Sequence, residues 1–411
     1  MSRVETQKKI PPLFAVGTGK ACYGGVVTMV NVMVSGGIAS GVGSNSGGYV
    51  RRYDLLGERR RLLLGAIEGH RLDRYSITRG SALVGCHVAP IGAAVQVKRY
   101  NGGARYSSVE TCHNALCPVC GGRIMAARSE EIREATHRHM AAGGECYMLT
   151  LTIRHSRNDG LATMLTRLDR AWRCYGRSRR VRSALLAVHQ GYIRSLEVQY
   201  GLDNGFHPHY HILFFTPSGW VLDDATLDAL RSEWVASCRR SGLDASYGVG
   251  CNIERVERVG QYLTKIGAEM ALAQNKSGRD AGGGFDVQHG HFSHLQLLEL
   301  SRLGYSWAGA AAVQEIAVLR GRHLLHWSVG LKARLGIAEK TDDEICEESG
   351  EGEALAGLVQ NKAWRCLPWG ARGAMLDIVR AAGVLALPIA QYNGHKFYLR
   401  DYGGVPMVVV E

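Results

Sequence analysis

The stretch GYIRSLEVQYGLDNGFHPHYHILFF, residues 191–215, decides the fold. It reads as two strands, 191–200 and 207–215, joined by a loop whose glycines and asparagine suit a tight hairpin turn. Side chains alternate between the faces of a strand, so His207, His209 and His211 stand in a row on one face. With residues 201–205 as the loop, Glu197 lies directly opposite His209. Imidazole nitrogens with a carboxylate suit a divalent ion, manganese, magnesium or a transition metal. A lone strand histidine is usually a satisfied side chain, but three alternating ahead of the apolar run ILFF point to a metal held by two of them, with a third ligand from the neighbouring strand.

Upstream of the hairpin, apolar positions recur at helical spacing from Arg123 to Met140, and Gly143 and Gly144 end that element. YMLTLTI, residues 147–153, reads as a strand, and a helix from near Gly160 runs into an arginine-rich stretch at 170–182. Downstream come a helix over 223–241, a strand over 248–256 and a helix carrying Gln261, Tyr262 and Lys265. This β-α-β-β-α-β-α order between residues 146 and 273 predicts an α+β domain with a mainly antiparallel sheet.

Tyr262, Lys265 and Glu269 share one face of that last helix. A tyrosine hydroxyl serves as a covalent nucleophile when its negative charge is stabilised, and a lysine one turn away helps to do so. Alone, such a pair is more often the core face of an amphipathic helix; its place after the histidine strand favours chemistry. Cys112, Cys117 and Cys120 form a cluster with Pro118 in the turn, a spacing suited to a structural zinc that needs a fourth ligand. Cys86, His87 and His113 are the candidates for that place. Residues 93–110 alternate in strand fashion about a turn at Asn101, Gly102 and Gly103.

A chain of 411 residues has room for two or three units, and its net charge of +12 favours a polyanionic partner, nucleic acid first among them. Eleven dispersed cysteines argue for reduced thiols and a cytoplasmic setting over a secreted disulfide scaffold. No cleavable signal peptide is apparent, and the uncharged stretch at 21–50, apolar over 26–34, is interrupted by Asn31, Ser35 and repeated glycines, so no membrane partner is expected. Gly17, Thr18, Gly19 and Lys20 lack the glycine spacing of a phosphate-binding loop, Phe14 standing where it would be. Strand separation would then fall to a host helicase. The acidic run at 342–353 reads as a solvated segment.

GFHPHYHILFF followed by GQYLTK resembles the HUH endonuclease superfamily, and within it the plasmid rolling-circle replication initiators. CYMLTLTIRHS is similar to that family's first motif, and the likeness extends from CHNALCPVC to HLLHWSVGLKARLGI, roughly residues 80–345. The resemblance implies that His209 and His211, with Glu197, hold a catalytic Mn2+ or Mg2+. It implies that Tyr262 attacks single-stranded origin DNA, leaving a 5′-phosphotyrosine and a 3′-hydroxyl primer for a host DNA polymerase. Lys265 would stabilise charge on the phosphate, and Cys86 would complete a Zn2+ site with Cys112, Cys117 and Cys120. Some members carry a glutamate one turn before the tyrosine; here Arg258 stands there, and Glu269 is the substitute. The same chemistry serves HUH transposases and mobilisation relaxases, and a non-catalytic zinc-dependent DNA-binding regulator is the reading from another class. The expected organisation is a Gly-rich, basic extension (1–60), a zinc-ribbon-like module (61–122), an HUH endonuclease domain (123–275) and a mostly helical C-terminal region (276–411).

Overall fold

The computed structural model describes residues 48–69, 82–186, 189–256, 285–347 and 352–411. The chain is α+β and divides into two compact units. Among the described residues, one unit comprises 66–69 and those within 121–341; the other comprises 48–65, 82–120 and 342–411.

The first hairpin belongs to the second unit. Strands β1 (Ala94–Tyr100) and β2 (Gly103–Ser107) pair antiparallel across the expected turn, where Gly102 adopts φ +85°. The larger unit contains β3 (Glu145–Leu151), β4 (Tyr192–Gly201), β5 (Gly205–Thr216), β6 (Cys251–Arg255), β7 (His291–Phe292) and β8 (Leu325–Trp327). Its sheet runs β6-β3-β5-β4-β7, with β8 also on β4, and every pairing is antiparallel. The register puts Glu197 opposite His209, as the loop length predicts. Gly205 holds φ +75°, and a Cβ there would meet the Arg157 Cα at 2.9 Å, so only glycine admits the chain into β5 at that point.

The two faces of this sheet are covered differently. Ile193, Leu213, Phe215 and Met148 pack with Ile132 and Ala135 of the helix Cys120–Ala141 and with Leu331, Leu335 and Ile337. On the other side, the helix Leu161–Arg177 buries Leu161, Met164, Leu165, Leu168 and Tyr175, the i, i+3, i+4 stripe of an amphipathic helix. Tyr175 meets Trp234 of the helix Asp224–Arg240 edge-on at 5.5 Å. Asp223 caps that helix by accepting from the Thr226 amide at 2.7 Å.

In the region 276–411, strands join the expected helices. Helices do occupy His294–Arg302, Ser306–Leu319 and Trp369–Ala382, but β9 (Ala354–Gln360), β10 (Gln391–Tyr392), β11 (His395–Tyr402) and β12 (Val405–Val410) are strands. They continue the first hairpin as a sheet ordered β10-β11-β12-β9-β1-β2, mixed because β12 runs parallel to β9. Apolar side chains from both ends of the chain seal it, among them Val95, Val97, Tyr106, Val359, Trp364, Met375 and Val408. A pairing this distant leaves no periodic signal in either partner, whereas a helix announces itself within one window. The expected boundary at residue 60 falls inside the helix Gly48–Gly69.

Candidate metal centres

β4 and β5 bring Glu197, His209 and His211 together. Glu197 Oε2 lies 2.7 Å from His209 Nε2 and 3.0 Å from His211 Nε2, and the two nitrogens are 3.1 Å apart. The three side chains are about nine-tenths buried, at 10%, 9% and 10% exposed. Each is held from behind. His209 Nδ1 faces the His207 carbonyl at 3.3 Å and His211 Nδ1 faces Thr150 Oγ1 at 3.1 Å. Keeping the proton on Nδ1 leaves the Nε2 lone pair turned inward in both rings. Gln199 Nε2 donates to Glu197 Oε1 at 2.7 Å, which turns Oε2 toward the histidines.

Three acceptor atoms so close repel one another unless a cation or a shared proton lies between them. Two imidazoles and one carboxylate fit a divalent ion, with the remaining coordination positions left for substrate. Beside this triad, His207 stacks on His155 with ring centroids 4.6 Å apart and 23° between planes, and His291 approaches to 5.7 Å. Burial first, then the His209, His155 and His291 imidazoles, pushes His207 down to about 3, so it is neutral at physiological pH. His155 Nδ1 faces the Asn204 carbonyl at 2.9 Å, tying the loop after β3 to the β4–β5 turn. Sequence reasoning missed Thr150, Gln199, His155 and His291. Thr150 was findable, since it sits in the LTL strand and pairs with His211.

In the other unit, four sulfurs converge. Cys86 Sγ is 3.5 Å from Cys120 Sγ and 3.6 Å from Cys117 Sγ, and Cys112 Sγ is 3.9 Å from Cys120 Sγ. A disulfide would need about 2.05 Å. Zinc–sulfur bonds of about 2.3 Å in a tetrahedron place sulfurs ~3.8 Å apart, so the cluster fits that ion. Hydrogen bonding from Cys112 lowers the thiols of Cys117 and Cys120, and Cys112 itself is raised by that bond. Cys120 opens the helix Cys120–Ala141, whose free amides favour a thiolate. Asn114 shapes the loop, its side chain accepting from the Leu116 amide at 2.8 Å.

Both histidines weighed for the fourth place are engaged elsewhere. His113 Nδ1 contacts Asp343 at 2.8 Å, and His87 stacks on Trp369 with centroids 6.2 Å apart. Arg60, only 3% exposed, reaches the Leu83 and Val84 carbonyls and faces Cys86, Cys117 and Cys112. Four thiolates on one divalent ion carry net charge −2, and a buried guanidinium beside them offsets part of it. Tyr262, Lys265 and Glu269 lie outside the described residues, so the triad stands here without them.

Residues 104–270 match the family model described as a replication protein. The chain is 26% identical over 345 residues to a Streptomyces lividans protein named Protein rep, covering 65% of this chain and 74% of that one. A neomycin resistance protein of Streptomyces cyanogenus is 32% identical over 174 residues, 31% of this chain and 37% of its own. A Protein rep of Lactiplantibacillus plantarum is 27% identical over 150 residues, covering 36% and 45%. No solved structure matches the chain.

Proposed function

We propose that this chain belongs to the replication-protein family of plasmid rolling-circle initiators and that it nicks single-stranded origin DNA with a tyrosine. The observation that carries the reading is the convergence of Glu197 Oε2, His209 Nε2 and His211 Nε2 within 2.7–3.1 Å. A divalent ion, Mn2+ or Mg2+, when bound there supplies Lewis-acid polarisation of a phosphate. Thr150, Gln199 and the His207 carbonyl keep the ligand lone pairs aimed.

The Tyr262 oxygen then attacks the scissile phosphorus in line. Its phenolic proton is lost, the bond to the 3′ oxygen breaks, and that oxygen takes up a proton to become the 3′-hydroxyl. One phosphodiester is exchanged for another, so the step is reversible and a later 3′-hydroxyl rejoins the strand. Lys265 stabilises charge on the phosphate, and Glu269 takes the place of the missing upstream glutamate in ending the cycle. The Cys86, Cys112, Cys117 and Cys120 cluster holds a structural Zn2+. The 3′-hydroxyl primes a host polymerase, a host helicase opens the duplex, and the protein works in the cytoplasm beside its plasmid. No described helix is long and apolar enough to cross a membrane.

A transposase or relaxase would share this chemistry, but the relatives named Protein rep favour replication. A regulator without catalysis has no use for the buried triad. Incubation with end-labelled single-stranded origin oligonucleotide and Mn2+ should yield a covalent adduct on the Tyr262 peptide. Tyr262→Phe should bind DNA and metal yet form none. Normal cleavage by Tyr262→Phe, or an adduct on Tyr210 or Tyr247, would overturn the assignment.

A further inference from the structure

The face of the antiparallel sheet turned away from the metal triad carries a different set of groups. Alternation along β5 puts Tyr210 and Phe214 on that face, and along β4 Tyr192 and Arg194. Between them and the helix Leu161–Arg177 opens a cleft of about 190 Å³, lined by Trp172, Arg173, Gly176, Arg177, Tyr192 and Phe214. That is smaller than the roughly 300–1,000 Å³ of a drug-sized pocket. It admits one flat ring system.

The aromatic wall is held rigid. Trp172 and Tyr192 meet edge-on at 5.6 Å, and the Arg194 guanidinium lies 5.4 Å from the Trp172 ring and 4.5 Å from the Tyr210 ring. Tyr210 is fixed in turn by its hydroxyl, which donates to Asp169 Oδ1 at 2.5 Å, and Asp169 pairs with Arg322 at 3.2 Å. Of the arginines at 170–182, Arg173 and Arg177 line the cleft and the others neighbour them along the chain. Arg170, Arg173, Arg177, Arg179, Arg180 and Arg182 are all exposed, and none is ion-paired among the described residues. Arg170, Arg173 and Arg177 follow one another at three- and four-residue steps, a spacing at which like charges repel. Such a stripe costs stability in the free protein, and a bound polyanion relieves it.

We propose that this cleft is a second nucleic-acid site, which takes one unpaired base of a single strand while the flanking phosphates lie on the arginines. The inference rests on the reading of this chain as a DNA-acting protein, and it places a binding subsite on the opposite face of the sheet from the nicking site. Aromatic stacking with cationic tracking of the backbone is the chemistry of single-strand binders. A paired base does not enter so narrow a cleft, so the site discriminates single strands from duplex.

The test uses the full chain and a single-stranded oligodeoxynucleotide carrying 5-iododeoxyuridine at each position in turn. Photo-crosslinked peptides, read by mass spectrometry, should include the one with Trp172 or the one with Tyr192. Removing the base at the mapped position, with its phosphates kept, should weaken binding about ten-fold. Duplex of the same sequence should not give the Trp172 or Tyr192 crosslink. Arg173→Ser with Arg177→Ser, both at exposed positions, should lower the slope of log K against log salt by about 1.4, the loss of two single-strand phosphate contacts. Crosslinks confined to the peptide with His207, His209 and His211 would overturn the second site and leave the nicking proposal standing. Equal affinity for the abasic strand, or equal crosslinking by duplex, would overturn it as a base site. A Trp172 crosslink without any Tyr262 adduct would support the cleft and count against the nicking proposal instead.

Discussion

Thr150 and Gln199 touch the triad from behind, one at His211 Nδ1 and the other at Glu197 Oε1. They fix orientation without occupying the place of a ligand. Thr150→Val and Gln199→Leu should each weaken Mn2+ affinity about 10- to 100-fold with the fold retained, as measured by calorimetric titration beside circular dichroism. His209→Ala or His211→Ala removes a ligand outright and should abolish nicking. A second prediction concerns protons. Burial depresses His139, whose Nε2 faces the Thr216 and Glu145 carbonyls at 2.9 and 3.1 Å, and it depresses His189, with Arg334 adding to the effect. Both are neutral when folded and take a proton more readily when unfolded, where the ordinary value is ~6.5. Their contribution is therefore complete above pH 6.5 and is lost as pH falls below it toward the depressed folded values. The thermal midpoint should drop between pH 7 and pH 5, and His189→Gln should flatten that drop. An unchanged slope in the variant would remove His189 from the account.

At the scale of elements, the four-cysteine cluster and the mixed sheet share the first hairpin. Cys86 and Cys112 flank the β1–β2 hairpin, and β1 pairs directly with β9, which pairs with β12. A structural zinc site contributes about 10–16 kcal/mol of apparent binding free energy, comparable with the whole stability of a domain. Chelation, or Cys117→Ser, should therefore expose amides in β9 and β12 as well as in the hairpin, which hydrogen exchange would show. Protection retained in β12 after zinc removal would mean that the sheet stands without its metal. The same pairings explain what was legible. The β4–β5 hairpin could be read from sequence because its loop is short and fixes register, so Glu197 met His209 as expected. The partner of β1 could not, because β9 lies more than two hundred residues away and nothing in either strand names the other. The β11–β12 hairpin did leave a signal: Gly403 and Gly404, at φ +64° and +85°, form a turn ahead of the apolar run VPMVVV. Arg60 was hidden because a buried arginine and a solvated one look alike in a basic helix.

Across the whole molecule, the charge of +12 and the exposed arginines after Arg167 set how binding answers to salt. Affinity for single-stranded origin DNA should fall linearly in log K against log salt, because neutralised phosphates release counterions. A flat response in an anisotropy titration would dissociate the arginine stretch from DNA. The interleaving of the sheet has a consequence for biosynthesis. Cys86, Cys112, Cys117 and Cys120 leave the ribosome early, but β12, beginning at Val405, emerges only after the residues of the other unit. At about 5–20 residues per second the wait between Cys120 and Val405 is roughly 15–60 s. For that time the nascent thiols stand without their completed sheet, open to oxidation or to capture of an ion. The order of events on the ribosome, metal first or last strand first, then decides how much of the newly made chain matures.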